Sequence, residues 1–214
     1  MQIAIVLYPR FTAMDMIGPY EVLSFLPGAE PILVAEKAGP VPDELGKIVI
    51  NAEAGLDEVP QPDIVIIPGG HGQADQRTPG PLHEWLRSVD TTSTWTTSVC
   101  TGALILASAG VLAGRRATTD WLALDQLAQY GVTPVEQRVV TDGHYVTAAG
   151  VSAGIDMALM LAGRIAGDAA AQTRQLSIEY SPEPPYNAGS PDTAPEAVLR
   201  DLQARREQFL SGRP

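Results

Sequence analysis

Residues 63–72 read Asp63-Ile64-Val65-Ile66-Ile67-Pro68-Gly69-Gly70-His71-Gly72. Consecutive apolar residues in a strand point alternately to its two faces, so this run must be covered on both, as inside a parallel sheet. Pro68-Gly69-Gly70 ends it abruptly. The same grammar repeats outward from here. Residues 2–8 form a β-rich apolar run closed by Pro9, and a helical pattern follows in Met14, Ile17, Val22, Leu23 and Leu26 until Pro27-Gly28. Residues 31–36 and 48–52 are further short strands, 81–89 a helix, 93–99 a strand, and 101–109 an Ala/Leu-rich helix stopped by Gly110.

Helical spacing returns over 119–130 through Leu122, Leu124 and Leu127, with Thr118 or Thr119 as N-cap and Gly131 as C-cap. Residues 135–141 and 144–148 flank Asp142-Gly143, a hairpin turn signal, and 152–165 and 169–178 read as two apolar helices. Five of the 18 prolines fall in 181–195, which predicts an extended surface segment, followed by a last amphipathic helix over 196–210. Strands alternating with helices define an α/β fold: a mostly parallel sheet sandwiched by helices, flavodoxin-like, with a small antiparallel hairpin. At 214 residues, without internal repeat or clean linker, the chain reads as one domain, 1–214.

Charge and composition exclude several partners. The formal net charge is −11, and the basic residues are scattered apart from Arg200, Arg205 and Arg206, so no nucleic acid is expected. The longest apolar stretch, 155–166, carries Asp156 and Arg164 and is shorter than the roughly 20 residues of a membrane span, so no membrane is expected either. The N-terminus has no basic region or small-residue cleavage site and reads as a strand, which leaves the cytoplasm as the expected location. One cysteine, Cys100, makes no internal disulfide and is too few for a Cys-based zinc site; no metal or cofactor is expected.

Ser98-Val99-Cys100-Thr101-Gly102-Ala103 sets that cysteine where a buried strand turns into a small-residue helix, as in a nucleophile elbow. Free N–H groups at the helix start would favour thiolate and pull the thiol below its usual pKa of about 8.5. Equally, a lone cysteine can simply pack in the core. Gly70 and Gly72 end a neighbouring strand, where they either satisfy a turn that needs positive φ or aim N–H groups at a developing anion. His71 is either an exposed loop residue or a base without a visible partner. Asp15 either caps the first helix or is a carboxyl beside the thiol, and Glu21 is a satisfied helix residue.

Further segments join these: Asp15-x-x-Gly18-Pro19-x-x-Val22, Arg115-Arg116-Ala117-Thr118-Thr119, Arg138-Val139-Val140-x-Asp142-Gly143, Ala153-Gly154-Ile155-Asp156, and Glu179-Tyr180-x-Pro182-x-Pro184-Pro185-x-Asn187-Ala188-Gly189-Ser190-Pro191. Together they cover nearly the whole chain, which resembles the ThiJ/PfpI superfamily with its class I glutamine-amidotransferase-like fold, and most closely its isonitrile hydratase branch. The resemblance implies that Cys100 is the nucleophile, that Asp15 lies against it and that Thr101 helps hold the reacting group. It also implies an oxyanion and substrate pocket at Gly70, His71, Gly72, Thr119 and Asp120, and a homodimer, which the proline-rich tail supports too.

The implied reaction is hydration of an isonitrile to an N-substituted formamide. Asp15 would have to be protonated at working pH, which requires a pKa raised by burial or by the thiolate. One position departs from similar sequences, which commonly carry His-Trp where this chain has Asp120-Trp121. Asp120 is either a first-turn acid complementing the helix dipole or a changed pocket wall. The Cys100, Asp15 and Thr101 set is complete without the imidazole. The rival readings are another cysteine-dependent activity, glyoxalase-like or deglycase-like, and a non-enzymatic redox or ligand sensor. The superfamily also occurs fused to helix-turn-helix domains, for which a chain ending near Leu210 in one helix is expected to have no room.

Overall fold

The computed structural model describes residues 1–211. In chain order the elements are β1 (Gln2–Val6), α1 (Ala13–Leu23), β2 (Glu30–Ala35), β3 (Gly39–Pro42), β4 (Val49–Ala52), β5 (Ala54–Gly55), β6 (Ile64–Ile67), α2 (Pro81–Val89), β7 (Trp95–Val99) and α3 (Gly102–Ser108). They continue with β8 (Arg116–Ala117), β9 (Thr133–Pro134), β10 (Val139–Asp142), β11 (Tyr145–Ala148), α4 (Ala153–Ala166), α5 (Asp168–Ser177), α6 (Glu196–Ala204) and α7 (Arg206–Ser211). The expected domain, 1–214, reaches past the described residues at 212–214.

Seven strands form one sheet in the order β10-β11-β7-β6-β1-β2-β5. All neighbours are parallel except β10, which folds back on β11 through the Asp142-Gly143 turn. Ile64, Val65, Ile66 and Ile67 are each 0 % exposed, as an apolar run in the middle of a two-faced sheet requires. The connection from β1 steps to β2 on one side, whereas that from β6 steps to β7 on the other. Right-handed crossovers in opposite directions put their helices on opposite faces. Accordingly α1 packs with α4, and α2 with α3. The crevice of such a sheet opens at the carboxyl ends of the strands beside this reversal, between β1 and β6.

Several expectations are corrected. Residues 48–52 do not join the sheet but pair with Gly39–Pro42 in a separate hairpin, β3–β4. Met14 and Ile17 face outward at 47 % and 36 % exposed, and the inward face of α1 carries Asp15, Met16, Gly18, Pro19, Val22 and Leu23. Residues Trp121–Tyr130 are 3-10 rather than α-helical, and their N-cap is neither threonine: the Asp120 side chain accepts the Leu122 N–H at 2.9 Å. Gly131 does close this element in the left-handed conformation, φ 71. Helix α5 buries no residue, because its apolar content is mostly alanine, which covers little area. The last helix is two, broken at Arg205. Residues 181–195 are exposed almost throughout and hold no helix or strand.

Candidate active site

The carboxyl ends of β1, β6, β7 and β11 carry the site. Cys100 follows β7 with φ 55, a left-handed backbone that costs a non-glycine residue roughly 1–2 kcal/mol. The neighbours hold it there: the Cys100 N–H donates to the carbonyls of Ala148 and Ala149, both at 3.1 Å, and its own carbonyl accepts the Thr119 hydroxyl at 2.8 Å. Helix α3 can leave so sharply only because position 102 is glycine, where a Cβ would stand 2.2 Å from the Ile67 carbonyl oxygen. This is the elbow expected from the sequence.

Two carboxyls close on the thiol. Asp15, 0 % exposed, accepts the Gly69 N–H on Oδ2 at 2.8 Å and interacts with the Cys100 thiol, while its Oδ1 makes no well-formed hydrogen bond. Burial is the main reason its pKa rises from 3.8 to about 8; the Gly69 N–H opposes the rise, and Glu44 and Asp120 add to it. Asp120, 4 % exposed, places Oδ2 at 3.9 Å from Cys100 Sγ and uses Oδ1 as the cap on Leu122. Burial raises its pKa too. Asp120 is thus both the first-turn acid and the wall against sulfur.

The thiol itself is pushed well above its ordinary pKa, by burial first and then by Asp15 and Asp120. This corrects the expectation of a thiolate-favouring helix start. The backbone N–H groups of Thr101 and Val151 do favour the anion, but they act against a site with two acids and almost no solvent. Cys100 is 6 % exposed.

The glycine loop departs from its expected role. The Gly70 N–H donates to Thr101 Oγ1 at 3.0 Å and the Gly72 N–H to the Arg10 carbonyl at 3.1 Å, so neither is free to meet an anion. Their small size serves packing: Gly70 has φ 132, and a Cβ on Gly72 would lie 1.9 Å from the Pro9 carbonyl oxygen. His71 faces away toward Glu44, with Nδ1 3.7 Å from Oε1, and meets Phe209 edge-on. Thr101 is buried, its hydroxyl accepting from Gly70 and its amide facing the sulfur.

Sequence reasoning missed Gly69, Val151, Glu44 and Tyr8. Val151 follows β11, beside β7, so the strand-end rule that selected Gly70 could have found it. Glu44 accepts the Thr12 hydroxyl at 2.8 Å from within the β3–β4 hairpin, and no local signal announces that. Tyr8 donates its hydroxyl to the Pro68 carbonyl at 2.8 Å. Beside the site lies a cavity of about 280 Å³ between Thr119, Trp121, Leu124, Ala149 and Gly150, bounded by 189–192 of the tail. A Cβ on Gly150 would stand 3.2 Å from Asp120 Oδ2, so that carboxylate adjoins the cavity wall. Among the described residues no group of three or more His, Cys, Asp or Glu side chains could hold a metal ion. No helix among them is long and apolar enough to cross a membrane.

A parallel sheet with a cysteine elbow and a buried acid at its strand ends defines a class of proteins, and the chain belongs to it: the DJ-1/PfpI family, whose profile matches residues 1–163. Within that family it is 40 % identical to the isonitrile hydratase of Pseudomonas putida over 210 residues, 98 % of this chain and 92 % of that one. A crystal structure of a ThiJ/PfpI family protein from Pseudomonas syringae superposes with a TM-score of 0.94 at 35 % identity, over 98 % of this chain and 87 % of that one. A helix-turn-helix transcriptional regulator from Pseudomonas aeruginosa is 30 % identical over 76 % of this chain, which spans 51 % of the regulator's length.

Proposed function

We propose that this protein is a hydratase that converts isonitriles, R–NC, to N-substituted formamides, with Cys100 as nucleophile and Asp15 as acid and base. The observation that carries the reading is a buried carboxyl, with a pKa of about 8, set against the chain's one thiol. Isonitrile carbon must receive a nucleophile and a proton on the same atom, and such a pair supplies both.

In the first step the Cys100 sulfur bonds to the terminal carbon while Asp15 delivers its proton there, giving the thioimidate R–N=CH–S. Asp15, now a carboxylate, takes a proton from water as the oxygen adds to that carbon, and passes it to nitrogen. The tetrahedral adduct collapses, the C–S bond breaks, and Asp15 recovers a proton from the hydroxyl as R–NH–CHO leaves. The Thr101 and Val151 amides stabilise the negative charge that develops on sulfur as the C–S bond breaks. The R group has room in the cavity beside Trp121 and Leu124. A redox-sensor role fits less well, since oxidation follows thiolate character and this thiol is biased to keep its proton.

Support for a homodimer comes from Met14 and Ile17, one turn apart and turned outward on α1; the single free thiol fits a reducing cytoplasm. The test is formamide release across isonitriles of increasing R-group size, beside a panel of dicarbonyl compounds, with Cys100→Ala as control. Formamide is expected from isonitriles with wild type only. Turnover confined to the dicarbonyls would replace this reading with the glyoxalase-like or deglycase-like one.

A further inference from the structure

Attack by Cys100 leaves one proton unaccounted for. The thiol keeps its hydrogen in the resting site, because burial and two neighbouring carboxyls oppose its loss. That hydrogen must go somewhere as the S–C bond forms. Asp15 touches the thiol and its Oδ1 makes no well-formed hydrogen bond, but in the hydratase reading it already holds the proton meant for carbon, and its Oδ2 accepts the Gly69 N–H. Thr101 Oγ1 is engaged by the Gly70 amide, and Glu44 Oε1 by the Thr12 hydroxyl and the His71 amide. Tyr8 donates its hydroxyl to Pro68. Besides Asp15, the acceptor at the sulfur is Asp120, whose Oδ2 accepts the Cys100 thiol at 3.9 Å, and that oxygen is not the one used as the helix cap.

We propose that Asp120 is a second catalytic acid–base: its Oδ2 accepts the proton of the Cys100 thiol as sulfur attacks, and returns it to sulfur when the C–S bond breaks. The inference rests on the hydratase reading and completes its proton balance. Asp15 passes one proton to carbon while Asp120 receives one from sulfur, so the thioimidate forms with the total charge of the site unchanged. On collapse, the protonated Asp120 stabilises sulfur as a leaving group. An aspartate in place of the imidazole common in similar sequences therefore keeps the acceptor while changing its chemistry. The titratable groups facing it are Cys100 and Asp15, with Glu44 and Tyr8 beyond them.

The test compares wild type, Asp120→Asn and Asp120→His for formamide production from one isonitrile over pH 6 to 9, with thermal melting to establish folding. Asparagine can still cap Leu122 but cannot accept the proton, so a loss on the order of 10²-fold at neutral pH is expected. That loss should shrink as pH rises and hydroxide takes over the acceptor's role. Histidine can accept the proton and should restore activity to within about tenfold of wild type. A folded Asp120→Asn variant with wild-type turnover, or with a loss independent of pH and shared equally by Asp120→His, would overturn the assignment. A wild type that makes no formamide would instead remove the hydratase reading beneath it.

Discussion

At Asp15 the physics is decided by burial. A carboxyl at 0 % exposure with one backbone N–H on it cannot hold a charge cheaply, so its pKa climbs to about 8. For kcat/KM this means a falling limb: above about pH 8 the proton needed by carbon is gone, and a profile that keeps rising through that point would contradict Asp15 as the acid. Stability has the matching sign. The folded state binds this proton more tightly than the unfolded chain does, so the stabilisation is complete below pH 3.8 and is lost as pH rises toward 8. Asp15→Asn should therefore flatten the fall in unfolding free energy across that window, by an amount on the order of a few kcal/mol, as read from denaturant melts at each pH. Cys100 offers a second test, since φ 55 is strained for any residue with a Cβ. Cys100→Gly should be more stable than Cys100→Ala by roughly 0.5–1 kcal/mol in denaturant melts, glycine's extra unfolded-state entropy offsetting part of the relief.

Between elements, function depends on how closely the elbow approaches β6. A Cβ at position 102 would press on two backbone carbonyls, at 2.2 Å from Ile67 and 2.8 Å from Pro68, neither of which can swing aside. Gly102→Ala is expected to cost more than about 3 kcal/mol and to appear as a lowered melting temperature or insoluble protein; a variant that melts like wild type would mean the turn is looser than described. This contact also explains what was legible in the sequence. Strong apolar runs such as 64–67, closed by Pro and Gly, fix the sheet and hence the elbow, because their signal is local. The Asp120 cap on Leu122 is local too, and was hidden only by Thr118 and Thr119, which carry the same capping chemistry. Glu44 behind Asp15 and the engaged amides of Gly70 and Gly72 were not legible, because each depends on residues from separate loops meeting in space. The helical period of α1 misled for a related reason: a site residue takes an inward position, so Met14 and Ile17 turn out.

For the whole molecule, the reversal of the sheet between β1 and β6 places Asp15, Gly69 and Cys100 around one crevice, although they are widely separated in the chain. Outward-facing Met14 and Ile17 make self-association the expected state, and sedimentation velocity at micromolar concentration should give twice the chain mass; a monomer throughout would rule out the homodimer. The central claim is that Cys100 and Asp15 together carry out hydration at one carbon. Its most direct measurement follows the formyl signal by NMR during reaction of one isonitrile with wild type, Cys100→Ala and Asp15→Asn, each shown to be folded. Steady formamide release by wild type is expected, with both variants at the uncatalysed background; release by either variant at the wild-type rate would contradict it.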